Sequence, residues 1–366
     1  MKRIPLLFCL PLFGTYALAS SLPIYLGTYT SESGSRGIYR TSLDSDTGNL
    51  EAPILAAEQS NPSFLVLSPD QKTLFSVGEI GESRVSSYAI QPDGKLEFIS
   101  SQPTQGEAAC HLALDSTGRF LAVANYSGGN VTAFPVSPKG VIGAAGGSRK
   151  HEGASVNKER QEMSHPHGIH MLEGKTFLVP DLGTDRVEVY HFGEEAQILG
   201  EKADGFVMPG GSGPRHCAVL GNTVWVVNEL SCTVSEVTRS LNGSWTVGGG
   251  VSTLPAGWKG ENTCAEILVH PNGKFLYATN RGHNSIARFV IEPAGGIRFL
   301  GTTASGGETP RGAALSPDGK YLVVANQDSG NLVAFSVDAS SGDLKPTGKA
   351  VPISQAVSVV FVEHKQ

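Results

Sequence analysis

Six times along the chain an apolar stretch, a polar turn and a second apolar stretch follow one another, starting at Pro62, Ala109, Pro166, Pro214, Cys264 and Pro310. The turn is often of the S-P-D-G-K kind, so each unit reads as a β-hairpin. The starts lie 47, 57, 48, 50 and 46 residues apart. A third strand follows each hairpin, read as RVSSYAI, NVTAFPV, DRVEVYHF, CTVSEVT, SIARFVI and NLVAFSV. A weaker fourth shows as KLEFISS and IRFLGTT. Four strands in about 45 residues is the period of a propeller blade.

The ends of the repeat are complementary. Ala356-VSVVFV is a seventh first strand, 46 residues after Pro310. Near the N-terminus PIYLGTYT, GIYRTSLD and LEAPILA read as strands two, three and four. Pairing the C-terminal strand with these three completes a seventh blade and leaves no long open sheet edge. A β-solenoid or two sandwiches would not explain complementary ends. The expected fold is therefore an all-β, seven-bladed propeller of four-stranded blades. The longest insertion, near Gly143 to Met163, is polar and Gly-rich and is expected to be a surface loop between blades two and three.

Residues 1–19 stand apart. Lys2 and Arg3 precede an apolar run, and Ala17-Leu18-Ala19 offers a small-residue cleavage site, the pattern of a signal peptide too short to span a bilayer. Residues 20–366 are then a single propeller domain in the periplasm or secreted. Loss of Lys2 and Arg3 takes the net charge from −6 to −8. With no second long apolar run and no basic excess, neither a membrane span nor nucleic-acid binding is expected. Hydrophobic residues at 40% and charged residues at 17% suit a large core rather than disorder. Cys110, Cys217, Cys232 and Cys264 would remain, open to three full pairings in an oxidising compartment. No CxxC is present, which speaks against a structural zinc site.

Positions that matter only for the fold should look alike in every blade. The second residue of the innermost strands instead runs Ser63, Cys110, His167, Arg215, Ala265, Arg311, and the third Phe64, His111, Gly168, His216, Glu266, Gly312. The second strand ends at the same side of the ring, in Glu79, Tyr126, Asp181, Glu229, Arg281 and Gln327, with Tyr29 or Thr30 from the split blade. Both sets converge on one mouth of the central channel, forming a polar pocket of His111, His167, Arg215, His216, Glu229, Glu266, Arg281 and Arg311. Ion pairs between blades use such residues too. Three arginines aimed at one place, however, repel unless carboxylates or a bound anion answer them. Arg suits phosphate and carboxylate through bidentate hydrogen bonds. His165-x-His167 has a spacing metals can use, but nothing nearby completes a ligand set. Asp181-Leu-Gly-Thr-Asp185 reads as an Asx-rich turn.

HPHG at 165–168, PDLGTDRVEVY at 180–190, GSGPRH at 211–216, VNEL at 227–230, CAEI at 264–267, YATNRGHNSIA at 277–287 and TPRG with VVANQDSGN at 309–331 resemble the lactonase family of seven-bladed propellers. The resemblance covers essentially all of residues 20–366. The family includes bacterial 6-phosphogluconolactonases and fungal carboxymuconate cyclases. Its recurrent polar positions fall on His165, His167, Asp181, Arg215, His216, Glu229, Glu266, Arg281 and Arg311. Two departures stand out: the export signal, and Gly312 where larger residues are frequent. Because 6-phosphogluconolactone is a cytoplasmic metabolite, an exported member would open a different lactone.

The resemblance implies hydrolysis of an anionic sugar lactone without metal or cofactor. On this reading Glu229 or His167 is the general base. Arg281 stabilises the oxyanion. Arg215 and Arg311 hold an anionic substituent, and His216 supports Arg215 or protonates the leaving hydroxyl. His111, His165, Asp181 and Glu266 complete the substrate site. No GxSxG is present, so water attacks directly. Two other functions fit the same residues: a carboxymuconate-type cycloisomerase, and a non-catalytic binding propeller of the cell envelope.

Overall fold

The computed structural model describes residues 21–193 and 199–363; the stretch read as a signal peptide lies outside them. Seven antiparallel sheets form the structure. Six run outward in chain order, with innermost strands Phe64–Leu67, Ala109–Leu114, His170–Glu173, Pro214–Leu220, Thr263–Val269 and Pro310–Leu315. The seventh is the split blade: Ala356–Phe361 is innermost and pairs with Ser21–Thr28, which continues to Gly37–Asp44 and Ile54–Glu58. The anticipated closure is present, with Ile24 opposite Phe361 and Leu26 opposite Val359.

Burial explains why this sequence makes blades. The second strands Thr73–Gly78, Phe120–Asn125, Thr176–Asp181 and Tyr321–Asn326 are buried at every position, because each is covered on both faces by neighbouring blades. Fourth strands such as Leu96–Pro103 are half-buried or exposed at all but the first position, which is why their hydrophobic signal is weak. Seven apolar clusters fill the seven junctions between adjacent sheets. Phe177 and Tyr190 of blade three, for example, pack on Phe120 and Ala122 of blade two. Each fully buried aromatic or aliphatic side chain contributes about 1.5–3 kcal/mol.

Two expectations need correction. Blade three has a short innermost strand, His170–Glu173, and Pro166 ahead of it makes only an isolated bridge to Asp181. The insertion is a surface loop only in part. Gly147–Lys150 is the fourth strand of blade two, and the residues after it fold down onto the channel mouth, burying His151 and Gln161.

Ring closure leads to a direct expectation. Truncation after Gln355 removes buried Ala356, Val357 and Phe361 and exposes both neighbouring cores. It should remove most of the ~5–15 kcal/mol of an ordinary domain. Circular dichroism during heating should then show no cooperative transition; a sharp transition near that of the full chain would refute the role of closure.

Candidate active site at the channel mouth

The innermost strands deliver their side chains to the mouth through a shared irregularity. Pairing with the second strand slips between Ala109 and His111, Pro214 and His216, Cys264 and Ile267, and Pro310 and Gly312. Such bulges re-aim side chains and favour functional sites. Here they carry Cys110, Arg215, Ala265 with Glu266, and Arg311. Gly312 has a packing reason: a Cβ there would lie 2.4 Å from the carbonyl oxygen of Val357 on the closing strand.

Glu229 is the hub. Its Oε2 lies 3.0 Å from Arg215 Nε and 2.9 Å from Arg281 Nη2, and its Oε1 accepts a 2.8 Å bond from Arg160 Nη2. The carboxylate side chain is 3% exposed, while the arginines grade outward from 4% at Arg215 through 14% at Arg281 to 39% at Arg160. Burial pushes the Glu229 carboxyl up, but Arg281, Arg215 and Arg160 together outweigh it and hold it at about 2. Burial, reinforced by Arg281, pushes the Arg215 guanidinium down to about 10.

On the far wall, Arg311 donates 2.9 Å to Tyr29 Oη and stands over its ring, and Tyr29 donates 2.7 Å to Glu79. Ser63 Oγ, buried against the same open space, has no hydrogen-bond partner among the described residues.

Four imidazoles form the floor. His216 lies 4.9 Å from His111, 5.5 Å from His167 and 5.4 Å from His170, ring centre to ring centre. Burial, then nearby positive charge, holds His111, His167 and His216 well below the usual imidazole range, and His170 falls to about 4. All four are neutral at pH 7. His216 faces Arg215 Nη1 with Nε2 at 3.2 Å and Glu266 Oε1 with Nδ1 at 3.0 Å. Arg only donates, so Nε2 accepts and Nδ1–H donates to Glu266. Burial outweighs Arg215 and raises the Glu266 carboxyl to about 7.

Two anticipated residues lie away from the open space. Asp181 Oδ1 accepts the backbone N–H of His165, Gly183 and Thr184, and Oδ2 faces His151 Nδ1 at 2.8 Å. It pairs with Arg186 as Asn125 pairs with Asn130, Asn228 with Thr233, Asn280 with Ser285 and Asn326 with Asn331. Asn125, Asn280 and Asn326 each donate to the crossover entering their blade, at Thr104, Thr253 and Ser305. Asp181 meets its crossover as an acceptor instead, with Oδ2 facing His151 Nδ1. Its counterpart in the repeat is therefore this bracket asparagine, not Glu229, and both its oxygens are occupied. His165 is similarly engaged: it stacks on Tyr126, with Nδ1 3.1 Å from Tyr126 O and Nε2 3.1 Å from Glu162.

The remaining open space is small, about 10 Å³, enough for about one water. Arg215, His216, Glu266 and Arg311 line it with Ser63, Phe64 and Glu79. Glu229 and Arg281 join it through Arg215, and His111 and His167 through His216. Sequence reasoning missed Arg160, because nothing in a repeat alignment marks an insertion as a roof. A larger cleft of about 320 Å³, beside Ser21, Arg40 and Asp93, lies at the opposite end of the blades. Among the described residues no cluster of His, Cys, Asp and Glu has the geometry of a metal site.

A seven-bladed ring with this arginine, glutamate and histidine mouth has close relatives. The sequence profile of the family "Lactonase, 7-bladed beta-propeller" matches residues 23–361, and the chain belongs to that family. It is 32% identical over 347 residues to a 6-phosphogluconolactonase of Bacillus subtilis, covering 93% of this chain and 98% of that one. A second 6-phosphogluconolactonase, from Formosa agariphila, is 32% identical over 356 residues, covering 92% of this chain and 98% of that one. Among solved structures, a periplasmic gluconolactonase of Pseudomonas aeruginosa superposes with a TM-score of 0.88 at 33% identity, covering 94% of this chain and 99% of that one.

The hub predicts a stability signature. Because Glu229 titrates lower in the fold than its ordinary value of 4.5, its contribution is full above 4.5 and is lost as pH falls toward 2. Glu229→Gln removes it at every pH and leaves three guanidiniums unanswered. Denaturant titration at pH 7 should show a loss of about 3–5 kcal/mol. Inorganic phosphate should partly restore it; a variant as stable as the parent would overturn the assignment.

Proposed function

We propose that the protein opens a sugar lactone by direct attack of water at the channel mouth, with Glu266 as general base. The observation that carries this is the division of labour between two buried glutamates. Glu229, committed to three guanidiniums and held at about 2, is a counter-ion and a poor base. Glu266, raised to about 7 and oriented by His216, can accept a proton near neutral pH and return it. His167 is reassigned too: an imidazole held far below the usual range is a weak proton acceptor and serves as floor.

The steps balance with the residues present. Water, beside Glu266 in the open space, loses a proton to its carboxylate as the oxygen attacks the lactone carbonyl. Arg215, deepest of the arginines and adjacent to Glu266, meets the charge that develops on the carbonyl oxygen. The ring C–O bond then breaks, and the leaving oxygen takes the proton from Glu266. The product is the open hydroxy acid.

The same geometry favours an anionic substrate. Arg160, Arg215, Arg281 and Arg311 bring four positive charges; Glu229 and Glu79 answer two, and Glu266 is half-ionised near pH 7. The surplus lies toward solvent, at Arg281 and Arg160, where a phosphate or carboxylate remote from the carbonyl would sit. With room for about one water, the open space must widen for a lactone to enter. The relatives named 6-phosphogluconolactonase and periplasmic gluconolactonase support this substrate class. The latter, with the leader-like residues 1–19, supports action outside the cytoplasm.

Turnover of 6-phosphogluconolactone and gluconolactone, corrected for spontaneous hydrolysis, tests the reading. The base acts when deprotonated, so kcat/KM should fall about tenfold per pH unit below 7 and level off above it. Glu266→Gln should lower kcat by about 10²–10⁴. Arg160→Ala should erode the preference for the phosphorylated lactone while the unphosphorylated one reacts as before. A parent-like Glu266→Gln would overturn the base; consumption of an unsaturated di- or tricarboxylate without water, and of no lactone, would identify a cycloisomerase.

A further inference from the structure

The turn joining the second and third strands has the same form in five blades. Four residues span the paired positions, and the last has a left-handed backbone: Gly129 at φ 63°, Asp185 at 55°, Cys232 at 53°, Asn284 at 53° and Gly330 at 62°. Gly, Asn and Asp tolerate this conformation. Cys232 has no such excuse, and a strained residue beside a polar site calls for a functional reason.

Its side chain supplies one. Cys232 packs against the apolar cluster that contains Cys264 at the junction of blades four and five. One set of side chains holds both sulfurs. Asn262 Nδ2 donates to Cys232 Sγ at 3.3 Å and to Asn280 Oδ1 at 3.0 Å, Cys264 Sγ donates to the same Oδ1 at 3.5 Å, and Thr253 Oγ1 is 3.3 Å from Cys264 Sγ. Cys232 is partly exposed and Cys264 is buried.

We propose that Cys232 and Cys264 are a redox-active dithiol that closes to a disulfide by exchange with a small-molecule or protein disulfide. The Cys232 thiolate attacks one sulfur of the oxidant, breaking its S–S bond, forming a mixed disulfide and expelling one thiolate. Cys264, its proton passed to that thiolate, attacks Cys232 Sγ and expels the second sulfur, which is protonated from water. Two cysteine thiols are oxidised and one external disulfide is reduced to two thiols. The division suits the positions, with an accessible attacking sulfur and a protected resolving one. The neighbouring Cys264 thiol, and then the hydrogen bond from Asn262, draw the Cys232 thiol below its ordinary range, which favours the attacking thiolate.

The bond would act on the site without touching substrate. The Cys264 carbonyl accepts from Arg281 Nη2 at 2.8 Å, and its N–H donates to the Glu229 carbonyl at 3.1 Å. Tying Cys264 to Cys232 fixes the backbone beneath both partners of the hub. Among the described residues the remaining cysteines, Cys110 and Cys217, are both buried and lie in other junctions.

The test equilibrates the folded full chain in glutathione buffers of stepped reduced-to-oxidised ratio, then alkylates, digests and weighs the peptides. The expected result is one linked peptide pair joining Cys232 to Cys264, lighter by two hydrogens, with Cys110 and Cys217 alkylated separately. The oxidised parent should melt above the reduced parent. Cys232→Gly suits the left-handed turn and should fold, melt no lower than the reduced parent, form no link and lose the redox dependence of melting. Cys232 and Cys264 alkylated separately at the most oxidising ratio, or trapped only as glutathione adducts, would overturn the proposal whatever the lactonase assays show.

Discussion

The pairing of Ala356–Phe361 with Ser21–Thr28 is the contact on which the rest of the molecule depends. A blade alone is a four-stranded sheet with two apolar faces, and neither can be exposed to water. Only a closed ring gives every face a partner, and the seven junction clusters are the result. Closure also fixes direction: seven innermost strands start at one end of one channel, so their bulges aim unlike side chains at a common point. The site is a consequence of ring geometry rather than of any single blade.

What the ring brings together would not hold without compensation. Arg215 and Glu229 are almost wholly buried, as are the imidazoles of His111, His167 and His216. The structure settles the charges in two ways. Glu229 stays ionised because three guanidiniums surround it, and the imidazoles stay neutral because burial, with Arg215 and, at His167 and His216, Arg311, opposes a further positive charge. Glu266 falls between, with burial working against Arg215. The environment thus gives two glutamates in one cluster opposite properties, one fit to hold arginines and the other to move a proton.

Much of this was legible in the sequence, because a repeat exposes its own exceptions. The third strands, the split blade and the convergence of Arg215, His216, Glu266 and Arg311 follow from aligning hairpins. Three features escaped for physical reasons. Aligning the hairpins by their starts sets Asp181 one residue out of register because the hairpin turns differ in length between blades; the asparagine that ends VAN, VVN and ATN marks its true counterpart. Arg160 lies in an insertion, where no neighbouring blade offers a template. The role of Glu229 depends on how many cations share one carboxylate, and sequence spacing does not count partners. His170 acquires its place in the imidazole floor only through the short strand it begins.

The separation of the two glutamates can be observed directly by following carboxyl carbon shifts in protein labelled at glutamate, from pH 4 to pH 9. One buried glutamate should titrate near 7 and vanish from the spectrum of Glu266→Gln, while Glu229 stays in its ionised position throughout that range. Two buried glutamates titrating together in the ordinary carboxylate range, or a Glu229 signal moving near neutrality, would contradict the account.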